Sequence, residues 1–357
     1  MFQRNKFDFL LVIPVVFLLI LSVAFITSVF PTKLPDLILF ILVSLAIFLI
    51  FSFIDLEILL SLSPFLFLLS VFLLISVFLL GNVTRGSFRW IPLGSFTIQP
   101  SEFIKPFFAL FSSWYWYRNK FSDKNLLVYL LFFFPAFVLI FLQPDLGSTL
   151  VLFSIFTGMV LFSGVKLKNL LILVIIFLLA LPCFWFFLKD YQKTRVVNYF
   201  NPYSDPLGDG YNVIQSTITV GSGGLFGRGF GKGTQSHLSF LPERHTDFIF
   251  ASAAEEFGFT GTTIILILYM ILFLKMLSIA NLTEDRQNFL LVLGLLFYLS
   301  FQTMVNIGMN IGILPITGIT LPFLSYGGSS LLTNMISLGI IENISRKNRR
   351  EGTLVIR

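Results

Sequence analysis

Long uninterrupted apolar runs decide what this chain can fold into. The first, "FLLVIPVVFLLILSVAFITS" over residues 9–28, carries no charge. A hydrocarbon layer about 30 Å thick is crossed by about 20 residues of helix, and inside it only helices and closed barrels satisfy their own backbone. The run follows Arg4 and Lys6, as a secretory leader would. Leader cores are shorter, about 7–15 residues, and no small-residue cleavage site ends this one, so it reads as an uncleaved first span. Similar runs near residues 36–53, 58–80, 103–117, 126–142, 148–164, 169–188, 249–274, 288–308 and 329–344 predict about ten spans. The expected fold is an all-α polytopic membrane protein, one domain over 1–357. Composition agrees: 56% of residues are hydrophobic, 12% are charged and 46 are Phe, more apolar surface than a soluble core can enclose.

An even number of spans leaves both termini on one side. Arg4 and Lys6 at one end and "SRKNRR" at the other place that side in the cytoplasm by the positive-inside rule. Arg118, Lys120, Lys124, Lys166, Lys168, Lys275 and Arg286 fall in loops on the same side, whereas the short outer loops offer Lys33, Arg85 and Arg89. The net charge of +6 is therefore an orientation signal, and no nucleic-acid partner is expected. Residues 189–248 form a far longer outer connection between spans seven and eight. Loops beyond about 12–15 residues are usually functional or disordered, and the aromatic and β-branched residues spread through this one predict an ordered cap with short helices. Cys183 is the sole cysteine, so no internal disulfide staples the cap.

Against this apolar background the polar motifs stand out. "GRGFGKGT" fails as a Walker A loop: three residues, not four, separate Gly227 from Gly231, and Gly233 follows Lys232. Its glycines serve either as turns or as backbone that approaches a phosphate or sugar, with Arg228 and Lys232 beside it. His237, Glu243, His245 and Asp247 match no zinc spacing, whereas a hard cation shared with a substrate phosphate needs only one or two acids. Glu102 and Lys105 lie three apart at the start of a span and so share a helix face, as a structural ion pair or as a pair facing a polar cavity. Arg89 beside Trp90 reads as an interfacial anchor. Asp145 in "QPDLGS" is either a helix cap or an intramembrane acid awaiting a partner. Of Glu255 and Glu256, one is expected to neutralise a cation elsewhere in the bundle. Asp247, in "FLPERHTDFIF", stands where the outer cap meets a span, as a helix cap or as a general base. Burial raises its proton affinity and nearby Arg244 lowers it.

Taken together, "RW" with "QPSEFIKP", "QPDLGS", "NPYSDPLGDGYNVIQS", "GSGG", "GKGTQSHLSFLPERHTDFIFASAAEEFGF" and "NIGMNIGILPITGITLPFLSYGGSS" resemble the SEDS family of bacterial cell-wall polymerases, its elongation branch (RodA) more than its division branch (FtsW). The resemblance covers nearly the whole chain. Ser148 stands where Thr is usual after "QPDLG", and the cytoplasmic tail is short; neither removes a group the reaction needs. The resemblance implies a ten-span fold in the bacterial inner membrane and peptidoglycan glycosyltransferase activity on lipid II at the outer leaflet. The family's catalytic acid maps onto Asp247 and its membrane ion pair onto Glu102 and Lys105. Arg89, Asp145, Arg228, Lys232, Glu243 and His245 are supporting candidates. The implied partners are lipid II, the growing lipid-linked glycan, a class B penicillin-binding protein and the elongation complex. A divalent cation, Mg2+ or Mn2+, is the only cofactor expected. Rival readings are a lipid II flippase, a division-type polymerase and a scaffold for a transpeptidase.

Overall fold

The computed structural model describes residues 7–80, 82–84, 87–93, 96–165, 199–206, 210–238 and 240–355, with positions 168, 171, 175, 193, 194, 197 and 208. Nine of the ten expected spans coincide with helices; the seventh, 169–188, lies outside the described residues but for positions 171 and 175. α1 (Phe9–Val29), α2 (Leu34–Phe53) and α3 (Leu56–Leu80) open the chain. A small antiparallel sheet of β1 (Asn82–Thr84), β2 (Ser87–Leu93) and β3 (Phe96–Ile98) follows. Next come α4 (Pro100–Arg118), α5 (Asp123–Leu142) and α6 (Leu146–Phe162). Two shorter helices, α7 (Tyr211–Ser222) and α8 (Thr234–His237), stand in the long connection, before α9 (Ile249–Asn281), α10 (Arg286–Asn310) and α11 (Gly328–Val355).

The chain is an all-α polytopic membrane protein apart from that sheet, which the apolar-run reading does not anticipate. Its strands are three to seven residues long. The signal lay in β-branched and aromatic residues set between Gly81, Gly86 and Gly94 in the sequence, a strand pattern; Asn82 pairs with Trp90 and Ile91 with Ile98.

Among the described residues six helices are long and apolar enough to cross a membrane, and α6 is apolar but shorter. The others explain themselves by position. α4 carries Ser, Glu and Lys and buries most of its length, Lys105 included, because it runs through the interior between α3, α6 and α10. α11 packs along α2, where Asn343 Nδ2 donates to the carbonyls of Phe51 and Ile54, 3.1 and 2.7 Å away. With no hydrophobic drive between helices in lipid, contact depends on fit. Accordingly rings stack: Phe133 on Phe156 at 4.3 Å and Phe67 on Phe111 at 4.6 Å. The bundle has two polar ends. At one, Asp8 Oδ2 accepts from Lys275 Nζ at 3.0 Å and Ser345 Oγ at 2.8 Å and meets the Arg349 guanidinium, tying α1, α9 and α11 together.

At the opposite end α9 is broken. Gly258 has φ +66 and ψ −162, outside helical geometry, and separates a short segment from Ile249 from the long span beyond. The break removes the 259→255 and 260→256 bonds. The glycine-rich loop supplies replacements: Arg228 N donates to Glu255 O at 2.9 Å and Gly229 N to Glu256 O at 3.0 Å, while Phe259 N and Thr260 N donate to Gly224 O and Leu225 O at 2.9 and 3.1 Å. All four backbone groups are satisfied by one loop, as burial demands. The approach is so close that a Cβ on Gly258 would stand 2.2 Å from Gly227 N.

Candidate active site

The motif "PERHTDF" folds as a tight turn feeding α9. Glu243 takes left-handed backbone at φ +50, its carbonyl accepts from Thr246 N and Phe248 N, and its carboxylate accepts from Thr246 Oγ1 at 3.1 Å. His245 stacks on Phe30 with ring centres 4.5 Å apart and planes 7° apart, and the Arg244 guanidinium lies 5.4 Å over the same ring. The end of α1 thus braces the turn from one side. Asp247 is half-buried, and a Cβ on Gly318 would stand 3.5 Å from its Oδ2, so a residue without a side chain adjoins the carboxylate.

α10 approaches from the other side with a polar stripe. Gln302, Asn306 and Asn310, spaced at four residues, share one face and are fully buried. Gln302 Oε1 accepts from Lys105 Nζ at 3.1 Å, and its Nε2 donates to Thr320 O at 3.0 Å. Asn306 Nδ2 donates to Asp247 O at 3.0 Å and Ile319 O at 2.7 Å; Asn310 Nδ2 donates to Asp247 O at 3.0 Å. The stripe therefore connects Lys105 to Asp247. Sequence reasoning missed these three amides, although their i, i+4, i+8 spacing inside an apolar run was visible.

Glu102 and Lys105 are in contact, Oε1 to Nζ at 2.6 Å, with the ammonium 5.5 Å from the Tyr298 ring centre. Glu102 Oε2 is buried without a hydrogen-bond partner among the described residues. Nearby, Asp145 caps α6, accepting from Ser148 N at 3.1 Å, and its Oδ2 also accepts from Gln99 Nε2 at 3.0 Å and Ser101 Oγ at 2.9 Å. Burial alone would raise this carboxyl; the charges of Arg89 and Lys105, with the Ser148 N–H and the Ser101 hydroxyl, outweigh it and hold it below the ordinary carboxylate value. Asp145 is thereby a poor proton acceptor. Arg89 turns inward, contrary to the anchor reading: its Nε donates to Gln143 O at 3.1 Å and its guanidinium to Pro144 O, bracing the α5–α6 turn from the small sheet.

Arg228 and Lys232 are exposed on the loop that closes the Gly258 break, about 16 Å of helix rise from Asp247. The Arg228 side chain donates to Ser222 O and Thr234 Oγ1. Glu255 is buried and caps α8, accepting from Gln235 N, Ser236 N and Ser236 Oγ at 2.8, 3.0 and 2.6 Å. Glu256 meets His237 Nε2 at 3.1 Å and the Ser28 hydroxyl, pinning α8 to α1. Among the described residues no three His, Cys, Asp or Glu side chains gather where they could hold a metal ion. These residues do not build a resident cation cage, and a divalent ion would have to take most of its ligands from a substrate's phosphates.

Comparison with known proteins finds relatives of the chain as a whole. A family model described as cell cycle protein, FtsW/RodA/SpoVE, aligns with residues 5–350. The peptidoglycan glycosyltransferase MrdB of Escherichia coli (strain K12) is 41% identical over 285 residues, 79% of this chain and 77% of its own length. A solved chain from a peptidoglycan synthase complex that coordinates polymerization and crosslinking superposes with a TM-score of 0.84 at 30% identity, covering 96% of this chain and 98% of that one. The rod shape determining protein RodA of Thermus thermophilus superposes at 0.73 with 28% identity and the same coverage. A match across nearly the full length in sequence and in fold leaves one conclusion: the chain belongs to the FtsW/RodA/SpoVE family, the SEDS proteins.

Proposed function

We propose that this chain joins lipid II units into glycan strands at the outer face of the bacterial cytoplasmic membrane, with Asp247 as the general base. It is a peptidoglycan glycosyltransferase. Asp247 takes the proton from the C4 hydroxyl of a GlcNAc as that oxygen attacks the anomeric carbon of a second unit's MurNAc. The bond to undecaprenyl pyrophosphate breaks, and the lipid carrier leaves with the electron pair. Inversion from α to β in one displacement needs no covalent enzyme intermediate, so one placed carboxylate suffices. The observation that carries this reading is Asp247 itself: a half-buried carboxylate at the junction of outer turn and bundle, on a backbone held from both sides. Lipid-anchored sugars reach such a junction from the membrane plane.

Lys105 is committed to Glu102 and Gln302 in this conformation. Arg228 and Lys232 are too far from Asp247 in this conformation to touch a pyrophosphate leaving beside it, so its charge would be met by a movement of Lys105 or of the glycine-rich loop, or by a Mg2+ or Mn2+ that the pyrophosphate carries. Both termini are assigned to the cytoplasm on the charge asymmetry of the loops. The likeness to MrdB and RodA favours elongation over division, and the likeness to a synthase complex that couples polymerization to crosslinking supports a class B penicillin-binding protein as partner. A flippase needs polar groups through the full depth of the bundle, whereas the site's polar groups lie within about two turns of one end.

The test is glycan chain formation from labelled lipid II by purified protein, with and without that transpeptidase. Asp247→Asn keeps size and most hydrogen bonds and should lower the rate about 10²–10⁴-fold while melting like the parent. Asp247→Glu, which moves the carboxylate about 1 Å, should cost about 10²-fold. Near-normal polymerisation by a well-folded Asn variant would remove Asp247 from the reaction.

A further inference from the structure

We propose that Asn306, Asn310 and Ser325 are positioning residues that hold the Asp247 carboxylate in its working direction by fixing the two peptide planes beside it. The inference rests on the reading of Asp247 as the base. A peptide unit is planar, so a residue's Cα–Cβ direction is set once the planes before and after it are fixed. The plane before Asp247 carries Thr246 O, which accepts from Ser325 Oγ at 2.6 Å. The plane after it carries Asp247 O, which accepts from Asn306 Nδ2 and Asn310 Nδ2, each at 3.0 Å.

The grip extends further than these two planes. Arg244 O accepts from Ser252 Oγ at 3.2 Å and His245 O from Tyr326 N at 3.0 Å, so four consecutive carbonyls receive donors from outside the turn. Ordinary turns at a water boundary leave such carbonyls to solvent. The donors are themselves held. Asn310 Oδ1 accepts from Ala251 N at 2.9 Å, an otherwise orphaned N–H of the first turn of α9, so its amide has one orientation, oxygen to the helix and nitrogen to Asp247. Asn306 Nδ2 also holds Ile319 O, and Ser325 Oγ also accepts from Leu321 N at 2.8 Å. α10, the turn and the 316–325 segment are thus locked around one side chain. Stability alone does not require two buried amides on a single carbonyl. Placing a base to within a fraction of an ångström does.

The experiment measures turnover of labelled lipid II per lipid II-binding site, together with the dissociation constant for lipid II, on detergent-purified full chain. Asn310→Ala should lower turnover per site about 10²-fold, the cost of a misplacement of about 1 Å, with lipid II affinity within about threefold of the parent. Ser325→Ala, which deletes only a hydroxyl, should lose about tenfold and serves if Asn310→Ala does not fold. Asn343→Ala removes two comparable bonds to carbonyls at the opposite end of the bundle and should lose stability without losing turnover per site. If the loss in Asn310→Ala is wholly a loss of binding sites, or if both Asn310→Ala and Ser325→Ala turn over within threefold of the parent per site, the positioning role is overturned. Asp247→Asn in the same assay separates the two claims. Normal turnover there removes the base assignment, whereas low turnover there with normal turnover in both Asn310→Ala and Ser325→Ala removes only the grip.

Discussion

Lys105 is the most heavily buried cation described, with no exposure, and its nitrogen touches Glu102 and Gln302. Removing one member of a desolvated pair strands the other, which typically costs about 3–5 kcal/mol, far more than a surface ion pair is worth. Lys105→Ala should therefore lower thermal stability by about that amount and depress glycan synthesis. Adding Glu102→Gln should return much of the stability, because neither member of the pair is then left as a stranded charge, without returning activity. Parent-like melting of Lys105→Ala would mean that the Glu102 carboxylate finds another partner or water. The pair was legible in the sequence for a simple reason: charges are conspicuous in an apolar chain, and a spacing of three on a helix dictates contact. Asn306 and Asn310 were not legible in the same way. An uncharged amide in a membrane helix is unremarkable by composition, and its partner is a carbonyl some 60 residues away that no local pattern discloses.

At the scale of elements, the glycine-rich loop and the broken helix form one unit. The run "GGLFGRGFGKG" left two readings open, turns or a phosphate cradle, because φ > 0 serves both. In the fold its backbone completes α9 at Gly258, which favours the structural use of at least Gly224 to Gly229. Gly258→Ala should be strongly destabilising, since it demands a left-handed backbone and would press a methyl group against Gly227 N. Gly227→Ala should behave alike, its Cβ falling 2.2 Å from Glu256 O. Gly221, near the end of α7, is the control, because a Cβ there would meet nothing within 4 Å. Gly221→Ala should be neutral or stabilising by up to about 1 kcal/mol. Equal melting temperatures for all three would refute the clamp. The spans themselves were readable from apolar runs because the bilayer sets their length. The break inside α9 was not, since "EEFGFTG" continues a helical pattern and only tertiary partners make a break tolerable.

Over the whole molecule, chemistry is segregated by end. The Asp247 turn, the Asp145 cap and the Glu102–Lys105 pair gather where α4, α6, α9 and α11 begin, and the Asp8 cluster gathers where α9 and α11 finish. If the first end is outside, single cysteines at Ser204 and Ser278, introduced after Cys183→Ser, should react with an impermeant thiol reagent added to intact cells only at position 204. The reverse pattern would invert the protein in the membrane. The Gly258 clamp also constrains how the chain is made. On that topology residues 224–229, which leave the ribosome before residues 249–260, are translocated before the segment after Asp247 is released by the insertion machinery. Until the loop docks, the two carbonyls and two N–H groups beside Gly258 can pair only with each other, as in an unbroken helix. The break in α9 is therefore made only when the loop arrives, and a mutant whose loop fails to dock should keep a straight helix there, a form that membrane quality-control proteases should remove before any question of catalysis arises.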